Sequence, residues 1–73
     1  MRTYNLVGGI TAISFSSTSV EVLWATPNPG FEVDIDAEST TVRVEFEADN
    51  HLSRVDAWWS NGPQRDIREE SND

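Results

Sequence analysis

The sequence predicts an all-β domain, and three observations carry that prediction. Val, Ile, Thr, Phe, Tyr and Trp together number 24, against 9 for Ala, Leu and Met, a balance that favours pleated over helical backbone. No segment places apolar residues at i, i+3, i+4 and i+7 over a helical length, whereas several alternate apolar and polar residues with a period of two. Turn-forming residues separate those alternating runs at short intervals. The expected architecture is a small antiparallel β-sandwich or meander of about seven short strands, with a small open β-barrel as the alternative.

Each element follows in order. Thr3 to Val7 reads as a first strand, with Tyr4 and Leu6 on one face. Gly8-Gly9 is a two-residue hairpin signal, because glycine accepts positive φ. Ile10 to Phe15 follows, and Ser16 to Ser19 is a polar loop. Val20, Val22 and Trp24 then alternate with Glu21 and Leu23. Pro29-Gly30 suits a type II turn, since proline presets φ at i+1 and glycine supplies positive φ at i+2. Phe31, Val33 and Ile35 alternate against Glu32, Asp34 and Asp36, which predicts a strand with one wet face and one buried face. Ala37 to Thr40 turns the chain, and Val42, Val44 and Phe46 alternate against Arg43, Glu45 and Glu47.

Asp49-Asn50 is the next turn. Treated as a two-residue loop, it sets Val44 opposite Val55, Val42 opposite Ala57, Glu45 opposite Arg54 and Arg43 opposite Asp56. Both charged pairs come out opposite in sign, which favours this register over a shifted one. On the last strands, Val55, Ala57 and Trp59 oppose Arg54, Asp56 and Trp58, so Trp59 is the core candidate and Trp58 looks outward. Asn61-Gly62-Pro63 closes a final hairpin onto a weak edge strand from Gln64 to Glu69. A single domain over residues 1–69 is expected, with an acidic tail over 70–73 that frays.

Charge narrows the function classes. Thirteen acidic residues stand against five basic ones, a formal net charge of −8. That field repels phosphate backbones, so no nucleic-acid partner is expected. No apolar run is long enough for direct membrane insertion. Cysteine is absent, which removes disulfides and thiol chemistry. So short a chain buries only about 60% of its unfolded surface. A marginal monomer, a homodimer and a module of a longer protein are the three expectations. The chain is expected to be cytoplasmic if complete, and extracytoplasmic if it belongs to an anchored protein.

Candidate chemistry is sparse. His51, the single histidine, is expected to be an exposed turn residue rather than a catalytic base, and no catalytic set is predicted. Glu32, Asp34 and Asp36 share a strand face and are weak candidates for calcium, but strand carboxylates lack the loop that normally gathers six to eight oxygens. No cofactor is expected. The outward Trp58, flanked by Arg54 and Arg43, is the candidate binding patch.

Several positions carry a resemblance. Arg2-Thr3-Tyr4, Gly8-Gly9 with a strand after it, Ala25-Thr26-Pro27 before Gly30-Phe31, Val42-Arg43-Val44-Glu45-Phe46, and Trp59 before Asn61-Gly62 are the matching residues. Through them the chain resembles small all-β domains at the C-terminal ends of actinobacterial membrane-anchored or exported proteins. The resemblance covers most of the chain and implies an accessory module without a catalytic residue set. The resulting expectation is a non-enzymatic interaction module that binds a protein or cell-envelope partner through a sheet face or edge. The alternatives are a glycan-binding module that uses Trp58 as a stacking platform and a small calcium-binding domain.

Overall fold

The structure is a computed structural model, and it describes residues 1–38 and 40–71. Among these residues there are seven strands and no helix: β1 (Arg2–Leu6), β2 (Gly9–Phe15), β3 (Val20–Pro27), β4 (Glu32–Ala37), β5 (Thr41–Ala48), β6 (His51–Trp59) and β7 (Pro63–Ser71). They form two antiparallel meanders, a three-stranded sheet in the order β1-β2-β3 and a four-stranded sheet in the order β4-β5-β6-β7. The sheets pack face to face, and no closed barrel forms. Strand β7 continues through Glu70 to Ser71, past the expected end at Glu69. Asn72 and Asp73 lie outside the described residues.

The core is the inner face of the alternation. Tyr4, Leu6, Ile13 and Val20 of the smaller sheet meet Val42, Val44, Phe46, Val55 and Ala57 of the larger one. The β5–β6 register is the one charge pairing predicts: Val44 faces Val55, Val42 faces Ala57, Glu45 faces Arg54 and Arg43 faces Asp56. The Pro29-Gly30 turn also forms as expected. Gly30 has φ 89°, and Phe31 N–H donates to the Asn28 carbonyl at 3.0 Å.

Four local readings are corrected. The first hairpin turns on Val7-Gly8, because Leu6 pairs with Gly9. Neither Gly8 nor Gly9 takes positive φ. They are needed for closeness instead: a Cβ on Gly8 would lie 2.6 Å from Phe46 Cβ, and one on Gly9 would lie 2.5 Å from the Thr26 carbonyl oxygen. The second correction is in β3. Ala12 pairs with Trp24 but Ile13 pairs with Val22, so Leu23 is the extra residue of a β-bulge. The bulge shifts the phase by one. Ala25 therefore packs on the core, and Trp24 remains half-exposed.

The third correction is Trp59, which packs against the core from its margin and is only half-buried. It sits one residue past the last β5–β6 pair, Thr41 with Trp58, so no β5 neighbour covers it. The fourth is β4, which is exposed along both faces. Strands lie about 4.8 Å apart, so a three-stranded sheet is about one strand too narrow to cover a four-stranded one. The two edge strands of the larger sheet, β4 and β7, are both exposed along their length, with β4 lying beside the β3 margin.

Candidate functional site

Four places in the fold bring together residues that could act on another molecule. The first is the outer face of the larger sheet, where Arg43, Arg54 and Trp58 lie on one side as the alternation predicts. Their charged groups are already engaged within the chain. Arg43 Nε donates to Asp56 Oδ1 at 2.7 Å, and this bond, reinforced by the Asp56 charge, raises the Arg43 pKa above its usual value. Arg54 Nε lies 3.4 Å from Asp56 Oδ2, so Asp56 sits between both arginines. Arg54 is therefore paired with Asp56 on its own strand, although Glu45 is its register neighbour. Trp58 is half-buried, between Thr41 and Gln64 on neighbouring strands. Arg65 pairs with Ala57 and so shares the opposite, inner face.

The second place is the acidic row of Glu32, Asp34 and Asp36 on β4. The strand spaces these carboxylates along its length and supplies no loop to gather the six to eight oxygens that calcium takes. Among the described residues, no group of three or more His, Cys, Asp or Glu is gathered closely enough to hold a metal.

The third place centres on His51, which is not an exposed turn residue. It opens β6, and its ring is edge-on to Phe31 at 6.1 Å. His51 and Ser53 continue the inward phase of Val55 and Ala57, and Ser53 faces Glu69 on β7. The Glu69 carboxylate accepts from His51 Nε2 at 2.8 Å, from the Ser53 hydroxyl, and from Val7 N–H at 2.9 Å. Burial alone would push this carboxyl up, but these hydrogen bonds and the His51 charge together hold it below its usual value.

Ser53 Oγ in turn accepts from Gly8 N–H at 2.9 Å. On the other side of the turn, Asn28 donates its backbone N–H to the Gly8 carbonyl at 2.8 Å and its Nδ2 to the Val7 carbonyl at 2.9 Å. Every backbone polar group of the Val7-Gly8 turn is thus bonded to another element. The arrangement is a brace between sheets. The Ser53 side chain is buried, and its hydroxyl donates to the Glu69 carboxylate. The sequence signal for it was the inward phase of β6 carried two steps back from Val55.

The fourth place was not anticipated. Where the β3 and β4 margins meet, Leu23, Trp24, Val33 and Ile35 are 48%, 46%, 38% and 46% exposed. Leu23, Trp24 and Ile35 rim a shallow groove whose walls include Val20, Val22 and Ala37, and Val33 continues the Ile35 face along β4. No family model matches the sequence, and comparison with curated proteins and with solved structures finds no match. The geometry of the chain is therefore what bears on its function. Contiguous exposed apolar side chains are uncommon on a free surface and mark places where something docks. The sequence carries this signal in the alternation of Val33 and Ile35, but alternation does not reveal which face is covered.

Proposed function

We propose that this chain is a non-enzymatic interaction module that engages a protein partner along the open margin between β3 and β4. The observation that carries this reading is the exposed apolar set of Leu23, Trp24, Val33 and Ile35 beside a strand that pairs on one side only. The expected binding patch at Trp58, Arg54 and Arg43 gives way to this margin. Its two arginines share Asp56 and its tryptophan is half-buried, so it has less surface to offer a partner. A glycan platform needs a broadly open aromatic face, which Trp58 lacks.

The test is site-specific photo-crosslinking in producing cells. A benzoylphenylalanine at position 23 or 35 should yield a discrete adduct, identified by mass spectrometry. The partner so identified, once purified, should bind the wild-type chain and not Ile35→Glu. The same adduct formed from position 58, with none from 23 or 35, would move the interface to the outer face of the larger sheet.

A further inference from the structure

From the chemistry of the β4 edge we infer the class of partner: an extended segment that alternates basic and apolar residues and adds to β4 as a fifth strand. This inference rests on the open-margin reading above and names what occupies that margin.

The backbone supplies the first part of the argument. Glu38 N–H donates to the Thr41 carbonyl at 2.8 Å, which makes that pair a hydrogen-bonded one. Such pairs alternate along an antiparallel ladder. With no register shift between β4 and β5, Asp36, Asp34 and Glu32 also turn their backbone groups toward β5. Val33, Ile35 and Ala37 then direct theirs to the open side. Among the described residues no strand pairs with them there.

The side chains supply the second part. On the inner face a fifth strand would meet Val33, Ile35 and the groove walled by Val22, Leu23 and Trp24, so its inward residues must be apolar. On the outer face it would meet Glu32, Asp34 and Asp36, with Glu47 and Glu45 directly behind the first two. Opposite charges across neighbouring strands stabilise and like charges destabilise, so its outward residues must be basic. The ends of the row agree: past Glu32 the surface opens into a second, acidic groove lined by Glu47, Asp49 and Glu70.

The other three edges lack this combination. Strand β7 carries Arg65, Asp66, Arg68 and Glu69 along its length, the mixed charge that blunts an edge against pairing. Strand β1 buries its Tyr4 and Leu6, and β3 is kinked by its bulge. A second copy of the chain fits β4 poorly. Two antiparallel β4 strands would set one row of carboxylates against another, and each copy carries a net charge of −8.

The experiment uses short acetylated peptides and the whole chain. The cationic probe is Lys-Val-Arg-Val-Lys-Val-Arg. Its controls replace every basic residue by Thr or by Glu, and a scrambled cationic peptide removes the alternation. Two readouts are taken, affinity and residue-resolved amide exchange. The cationic probe is expected to slow exchange at Val33, Ile35 and Ala37 and to bind about tenfold tighter than the Glu peptide, with that ratio shrinking as salt is raised. The scrambled peptide should give no protection at these amides. In the variant Glu32→Arg with Asp34→Arg, each new arginine faces Glu47 or Glu45, so the fold is retained and the preference should disappear or invert.

Equal protection by the Thr or Glu peptide would overturn the basic partner and leave the open-margin reading standing. An unchanged preference in the double variant would show that net charge, not β4, selects the peptide, and would also overturn it. Protection at β7 or β1, or no protection by any peptide at saturation, would overturn strand addition to β4 itself. A concentration-dependent dimer that protects the same three amides would assign the edge to a second copy instead.

Discussion

Replacing Ser53 by alanine removes one oxygen and should cost the domain a large share of its stability. The hydroxyl is buried and holds two partners, Gly8 N–H at 2.9 Å and the Glu69 carboxylate. Losing a hydrogen bond to a charged group costs about 1.5–3 kcal/mol, and leaving a buried N–H unsatisfied costs about 1–3 kcal/mol. The two terms overlap, because Glu69 keeps Val7 N–H and His51. The expected loss is about 2–4 kcal/mol, against about 4–11 kcal/mol for a domain of this size. Urea unfolding followed by tryptophan fluorescence measures the loss, and amide exchange localises it. Gly8 should exchange faster in Ser53→Ala, while amides of the β5–β6 pairing should change only with global stability. A loss under about 0.5 kcal/mol with Gly8 still protected would refute the brace, since a buried donor without its acceptor cannot be that cheap.

Three further outcomes are expected. Gly9→Ala should lower stability by about 2–3 kcal/mol, because its Cβ meets a backbone oxygen, whereas Gly30→Ala should cost about 1 kcal/mol from its φ of 89° alone; thermal melts of the pair give the order. Reversing the cross-strand pair as Arg43→Glu with Asp56→Arg should recover more than half of the melting temperature lost by Arg43→Glu alone, and a double variant no better than the sum of the singles would remove their coupling. Glu69 has a folded pKa below its unfolded one, so its contribution is complete above the unfolded value near 4.5 and is lost as pH falls through the folded value. The stability gap between wild type and Glu69→Gln should therefore be wide at neutral pH and narrow toward pH 3, as read by urea unfolding across that range.

What was legible in the sequence was local. Period-two alternation identified seven strands because successive side chains of a strand must point to opposite faces. The Asp49-Asn50 loop and two opposite-charge pairs set the β5–β6 register because a hairpin register depends on loop length and near neighbours alone. Pro29-Gly30 announced its turn because the φ preferences of both residues are intrinsic.

Tertiary structure decided everything that required knowing what lies across the sandwich. Gly8 and Gly9 read as a flexible turn, yet they are small because Phe46 and Thr26 lie against them from elsewhere in the chain. The bulge at Leu23 turned Trp24 out of the core, and nothing in the local alternation marks an extra residue. His51, Ser53 and Glu69 meet only because β7 pairs with β6 in one register and the Val7-Gly8 turn lies over both. The alternation of β4 states that Val33 and Ile35 share a face; it does not state that anything covers that face. Three strands over four leave that face open, so the same residue pattern that elsewhere builds the core becomes a docking surface on β4.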